Sequence, residues 1–87
     1  GRQVEDSIFE LDAVEEVAVV GQPDEKWIEA ITAYVVVKEG QELDETTVIE
    51  HVKERLAAFK APKAVHFVDA LPKNSAGKIL KRKLRES

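Results

Sequence analysis

The apolar positions of the chain change their spacing from one segment to the next, and each spacing predicts a type of secondary structure. Val4, Ile8 and Leu11 recur at helical intervals, which predicts a short amphipathic helix at the start. Residues 17–20 are apolar and β-branched, and they are followed at residues 21–24 by a group typical of turns. We therefore expect a first strand directly after the first helix.

The next two elements have the strongest patterns. Residues 29–37 are apolar on both alternating faces, which is typical of a central strand covered by helices on at least one side. Asp44 is placed to cap a helix in which Val48, Val52 and Leu56 form a core-facing stripe, widened by Ile49.

The C-terminal part is predicted to contain one strand, then a loop and then a helix. Pro62 ends the preceding helix and residues 64–68 predict a third strand. A polar loop then runs to Gly77, and Leu80 and Leu84 support a short final helix. The fold class predicted for residues 1–87 is α+β: one small domain with a central three-stranded sheet flanked by helices.

Composition excludes several kinds of site. The chain has 87 residues, no cysteine and two histidines, His51 and His66, so disulfides and thiolate zinc sites are excluded and no metal is expected. No apolar run is long enough for a membrane span, and no secretory leader is visible, so a cytoplasmic location is expected.

Charge is unevenly distributed along the chain. Residues 1–72 hold 7 basic and 16 acidic side chains, a net charge of −9, whereas residues 73–87 hold 6 basic and 1 acidic, a net charge of +5. A basic tail on an acidic body suggests attraction to a nucleotide, a coenzyme phosphate or a nucleic acid. Charge alone does not choose among these ligands.

Residues 72–82 carry the most specific chemistry. Gly77 directly before Lys78 allows a tight bend that can extend an ammonium towards an anionic ligand. A phosphate-binding P-loop is excluded because it needs glycine where Pro72 stands and Ser or Thr where Ile79 stands. On residue chemistry alone, a solvated basic tail remains the simpler interpretation.

The same stretch resembles the C-terminal signature of adenylate-forming (AMP-binding) enzymes, Pro-Lys-Thr-x-x-Gly-Lys-Ile/Val-x-Arg/Lys. It matches six of the seven defined positions, with Asn74 in place of threonine. The likeness extends to residues 19–27 and 59–62, and it is greatest with fatty-acyl and medium-chain acyl-CoA synthetases.

That resemblance implies a two-step, ATP-dependent acid:CoA ligase, present here only as its mobile C-terminal domain. A carboxylic acid would attack ATP to give an acyl-adenylate, and the thiol of coenzyme A would then displace AMP. Lys78 matches the catalytic lysine of adenylation. The partner implied is a missing N-terminal domain that binds ATP with Mg²⁺ and the acid, so the isolated fragment is expected to be inactive.

The resemblance also marks cofactor-binding candidates. Gly77 belongs to the catalytic loop, while Trp27 and Phe59 are candidate surfaces for the coenzyme A nucleotide and Lys60 is a candidate phosphate contact. The alternative for both aromatics is that they fill the edge of the core. The same region departs from the family pattern at two positions. Ile28 stands in place of a common glycine, and Ala61 stands in place of an arginine found in some members.

Three other interpretations stay open at this stage. A peptide-synthetase adenylation domain would use a carrier-protein thiol instead of coenzyme A. A small nucleic-acid-binding module is disfavoured by the net charge of −4 and by few aromatics. A docking module for acyl carrier protein is the third. The basic residues around the final helix, Lys73, Lys81, Arg82, Lys83 and Arg85, are interpreted as solvated or as favouring the end of that helix.

Overall fold

The computed structural model describes residues 2–22 and 30–86, and the order of elements predicted from the sequence is confirmed. Within these two ranges, three α-helices, three strands and one short 3-10 turn follow each other. They are α1 (Arg2–Phe9), β1 (Val14–Gln22), β2 (Ala30–Val37), α2 (Glu45–Arg55), the 3-10 turn (Ala58–Lys60), β3 (Ala64–Phe67) and α3 (Lys81–Arg85).

The strands form one mixed sheet in the order β1-β2-β3. β1 pairs antiparallel with β2, and β3 pairs parallel with β2, so β2 is the central strand, as its apolar pattern predicts. β1 begins earlier than predicted, at Val14, because a register shift between Val14 and Glu16 lets two acidic residues enter the strand. The α+β fold class is confirmed.

Both faces of the sheet are apolar, and each has its own core cluster. Along β2, Ala33 and Val35 belong to one cluster while Tyr34 and Val36 belong to the other, as expected where successive side chains alternate between faces. We call the first the helical face, because α1 and α2 cover it. The second is the tail face, which α3 and residues 71–80 cover through Leu71, Ile79 and Leu84.

The two outer strands are protected by carboxylates from the helices. Glu5 Oε2 on α1 accepts a hydrogen bond from the backbone N–H of Val19 on β1 at 2.7 Å. Glu45 Oε2 on α2 accepts one from the N–H of Val65 on β3 at 2.8 Å. These glutamates occupy backbone donors that an unprotected sheet edge offers to other chains.

The cap of α2 is where the sequence predicts it. Asp44 Oδ1 accepts a hydrogen bond from the backbone N–H of Thr47 at 2.8 Å, which satisfies one of the free donors at the helix start. The hydrogen bonds from Thr47 lower the pKa of Asp44 below its ordinary value of 3.8, because they favour the charged carboxylate.

This cap predicts a pH-dependent contribution to stability. Since the pKa of Asp44 is lower in the folded chain, its stabilising effect is complete above pH 3.8 and is lost as the pH falls through the folded value. Thermal unfolding of Asp44→Ala should therefore show a lowered midpoint at pH 7 and a smaller deficit in acid. Asp44→Asn, which keeps an acceptor without the charge, is the matched control. A deficit of Asp44→Ala that is unchanged between pH 7 and pH 3 would contradict the assignment.

Candidate functional site

Residues 72–80 form a closed hairpin, here called the Lys78 loop. Its base is joined by the hydrogen bond from the N–H of Leu80 to the carbonyl of Pro72, 2.8 Å, and by a bridge between Lys73 and Ile79. Further in, the N–H of Asn74 donates to the carbonyl of Lys78 at 2.9 Å. The loop that carries Lys78 is thus held across its base by its own backbone.

The bend of the loop depends on Gly77 and Asn74. Gly77 adopts a φ of +85°, a left-handed conformation that side chains with a Cβ disfavour, and its N–H donates to the carbonyl of Asn74 at 3.0 Å. The side chain of Asn74 accepts hydrogen bonds at Oδ1 from the N–H groups of Ala76 and Lys78, each 2.9 Å. Asn74, the one departure from the signature, is therefore an acceptor at the centre of the loop.

The loop is also fixed to the body of the domain. Leu71 is buried and Ile79 packs against the tail-face cluster. The ammonium of Lys73 lies 2.6 Å from Glu16 Oε1 on β1. Lys78, in contrast, is exposed, and its ammonium has no partner in the part of the chain that the structure describes.

Several basic residues of the tail also make contacts within the domain, beyond the interpretation that they are solvated. Besides the pair that Lys73 makes, Lys81 Nζ lies 2.8 Å from Glu5 Oε2, and Arg85 Nε donates to the carbonyl of Gly21 at 3.2 Å. Two of these contacts pair a lysine of the basic tail with a glutamate of the acidic body. Lys78 and Arg82 remain exposed along one shallow groove.

The second candidate surface surrounds the 3-10 turn. Phe59 is 83% exposed, so the interpretation that it fills the core edge is wrong. It lies on an apolar groove that also contains two lysines, Lys53 and Lys63. The ammonium of Lys60 donates to Gln3 Oε1 on α1 at 2.9 Å. Trp27 and Ile28 lie outside the described residues.

The Lys78 loop and the Phe59 groove lie on opposite faces of the sheet. Ile79 in the loop packs against the tail-face cluster, whereas Ile31, Ile49 and Ala61 in the groove pack against the helical-face cluster. The structure therefore does not bring Phe59 and Lys60 together with Lys78 and Gly77 in a single pocket. It presents two separate surfaces.

Neither a metal centre nor a membrane helix is found within residues 2–22 and 30–86. No group of three His, Cys, Asp or Glu side chains there could hold a metal ion. In the same ranges, no helix has the length and apolar character needed to cross a membrane.

Comparison with known proteins assigns the family. The sequence profile of the AMP-binding enzyme C-terminal domain matches residues 3–78, most of the chain. The chain belongs to this family. The match to AMP-binding enzyme C-terminal domains ends at Lys78 itself, so the signature lysine lies within the matched region.

Individual relatives agree with that assignment. The chain is 51% identical over 84 residues to a 3-[(3aS,4S,7aS)-7a-methyl-1,5-dioxo-octahydro-1H-inden-4-yl]propanoyl:CoA ligase of Rhodococcus jostii, covering 97% of this chain and 16% of that protein. It is 48% identical over 84 residues to the long-chain-fatty-acid CoA ligase FadD13 of Mycobacterium tuberculosis, again covering 97% and 16%. The likeness to fatty-acyl CoA synthetases is thus confirmed.

A solved structure that is similar in sequence also has the same fold. The crystal structure of apo MatB from Rhodopseudomonas palustris superposes with a TM-score of 0.93 at 42% identity, covering 98% of this chain and 17% of that one. The chain therefore spans about a sixth of the length of the proteins it matches.

Two glycines provide a matched test of the loop geometry. Gly77 and Gly40 have φ values of +85° and +81°, and a Cβ at either would meet nothing within 4 Å. Each change to alanine should cost about 1 kcal/mol of unfolding free energy through backbone strain alone. Only Gly77→Ala should also raise the amide hydrogen exchange of residues 72–80, because only Gly77 shapes the Lys78 loop. Equal exchange of this loop in the two variants would argue against the role of Gly77 in its geometry.

Proposed function

We propose that this domain is the mobile C-terminal part of an ATP-dependent, AMP-forming acid:CoA ligase and that Lys78 is its catalytic residue. The observation that carries the proposal is the exposed ammonium of Lys78, which has no partner within the described residues, on a loop held by hydrogen bonds across its base and by the pair between Lys73 and Glu16. A cation with no partner of its own in the described domain is available to a ligand on another domain.

The chemistry explains why a lysine is needed. When a carboxylate oxygen attacks the α-phosphate of ATP, negative charge accumulates there and pyrophosphate leaves. A preorganised cation at that point stabilises the transition state more than the separated substrates. The compact ammonium of Lys78 on its flexible stem suits this role. The Mg²⁺ that accompanies ATP would be held by the large domain, as the family resemblance implies.

The thiol-transfer step would use the other surface. Phe59 offers an exposed ring to the adenine of coenzyme A, and Lys53, which also pairs with Glu50, lies along the same groove. Lys60 has further N–H donors beyond the one given to Gln3, so it can still contact a phosphate. Trp27 is proposed for this surface from the sequence alone. Because the two surfaces lie on opposite faces, the domain would turn between the two half-reactions.

The substrates and partners of the whole enzyme follow from the same proposal. They are a carboxylic acid, ATP, coenzyme A and an N-terminal domain of the same chain, in the cytoplasm. The named relatives are CoA ligases, which favours coenzyme A over a carrier-protein thiol as acceptor. A nucleic-acid-binding role is disfavoured because Lys73, Lys81 and Arg85 are already engaged within the domain.

The isolated domain should fold but should not catalyse. Its core contains fully buried side chains on both faces of the sheet, such as Val35 and Val20, which supports cooperative folding. We expect a sigmoidal thermal transition together with ATP-pyrophosphate exchange at background. Exchange by the 87-residue chain alone would show that it holds a complete active site.

The two surfaces predict opposite kinetic effects in the full-length enzyme. Lys78→Ala should slow adenylation by roughly 10² to 10³ and leave the transfer from preformed acyl-adenylate to coenzyme A unchanged. Phe59→Ala should do the reverse, slowing transfer by about 10-fold through lost stacking. Single-turnover rates with acid plus ATP, and then with synthetic acyl-adenylate plus coenzyme A, separate the two steps.

Matched controls are available for both variants. Lys38→Ala removes an exposed lysine from the turn after β2, and Phe67→Ala removes a phenyl ring that is 41% exposed outside the groove. Neither should change either half-reaction. If Lys78→Ala slows both steps equally, the lysine is structural or the domain does not turn.

A further inference from the structure

We propose that Asn74 is a positioning residue for Lys78, an inference that rests on the proposed catalytic role of Lys78. Its side chain sets the course of the backbone from which the Lys78 side chain extends. Asn74 itself touches no substrate in this account and acts only through the lysine. It replaces the threonine of the family signature, and its side chain accepts two backbone hydrogen bonds within the loop.

Asn74 holds the peptide groups on both sides of Lys78. The N–H of Lys78 donates to Asn74 Oδ1 at 2.9 Å, and the carbonyl of Lys78 accepts from the N–H of Asn74 at 2.9 Å. The Cα of Lys78 therefore lies between two hydrogen bonds to the same residue. This restrains both backbone dihedral angles at Lys78 and, with them, the direction in which its side chain leaves the loop.

The side-chain bonds are needed because Gly77 directly precedes Lys78. Glycine has the widest conformational freedom of any residue, so the left-handed bend at Gly77 would by itself hold Lys78 loosely. The two bonds to Asn74 Oδ1, from Ala76 and Lys78, bracket Gly77 and confine it. The oxygen acceptor at position 74 thus restricts the backbone of the flexible Gly77-Lys78 pair. It thereby restrains the direction in which the Lys78 side chain extends.

Removal of this acceptor should affect function more than folding. The base of the loop is held without it, by the bond between Leu80 and Pro72 and by the pair between Lys73 and Glu16. Asn74, Ala76 and Lys78 are all exposed, so the released N–H groups can bind water. The fold is then retained, while Lys78 loses the bond to its N–H and keeps only the backbone bond from the N–H of Asn74 to its carbonyl.

The test uses the full-length enzyme with three variants. Asn74→Ala removes the acceptor, and Asn74→Asp keeps an oxygen in the same place. Ser75→Ala is the control from the same exposed loop, because no hydrogen bond of the Ser75 side chain is found within the described residues. Asn74→Ala should lower the single-turnover rate of adenylation roughly 10- to 100-fold, the scale of effect expected when a catalytic group is displaced. The KM values for ATP and acid, and the rate of thiol transfer, should stay unchanged. Asn74→Asp should recover most of the rate, and Ser75→Ala should match the unmodified enzyme.

A double variant distinguishes positioning from a general structural role. If Asn74 acts only through Lys78, adding Asn74→Ala to Lys78→Ala should reduce adenylation no further. Independent, multiplicative losses would overturn the proposal, as would an Asn74→Ala enzyme with the unmodified rate. The proposal would also be overturned if Asn74→Ala lowered the thermal midpoint enough to account for its loss of activity and Asn74→Asp restored neither the midpoint nor the activity.

The same experiment separates this inference from the proposed function. If Lys78→Ala itself does not slow adenylation selectively, the proposed function fails. If Lys78→Ala does so while Asn74→Ala does not, the catalytic role of Lys78 is retained and only the positioning role of Asn74 is refuted.

Discussion

The central strand of the sheet is apolar on both sides, and the need to cover both sides determines the rest of the structure. The five residues from Thr32 to Val36 on β2 are all buried. In so short a chain, α1 and α2 cover the helical face, and the tail face is left to the small helix α3 and the Lys78 loop. The loop proposed to carry the chemistry is therefore also part of the hydrophobic core, through Leu71 and Ile79.

This double role couples the position of the tail to the packing of the sheet. The hydroxyl of Tyr34 donates to the carbonyl of Leu84 at 3.2 Å in a buried position, which ties α3 to β2. Glu5 accepts from the N–H of Val19 and also pairs with Lys81, so α1, β1 and α3 meet at one carboxylate. The proposed role as a rigid carrier of Lys78 gains from such cross-links, because they fix the base from which that lysine extends.

Local patterns predicted the elements but not the long-range contacts. The order of elements, the central position of β2 and the Asp44 cap depend on periodicity and capping chemistry, which are local. The extension of β1 to Val14 depends on a register shift that interrupts the alternation of side chains. The pairing of Lys73 with Glu16 joins residues far apart in the chain and cannot be read from charge runs. Likewise, the signature indicated Lys78, while the role proposed for Asn74 depends on hydrogen bonds within the loop that the sequence does not show.

The most direct test of the account is to measure which surface is covered in each half-reaction. Full-length enzyme carrying Ala58→Cys, an exposed position of the same groove, would be labelled with amine-reactive and thiol-reactive reagents and analysed by mass spectrometry in two states. With ATP and an unreactive acid analogue, the Lys78 amine should be protected and the thiol introduced at position 58 should react. With an acyl-adenylate analogue and a coenzyme A analogue that lacks the thiol, the pattern should reverse. Protection of both sites in the same state would contradict the account.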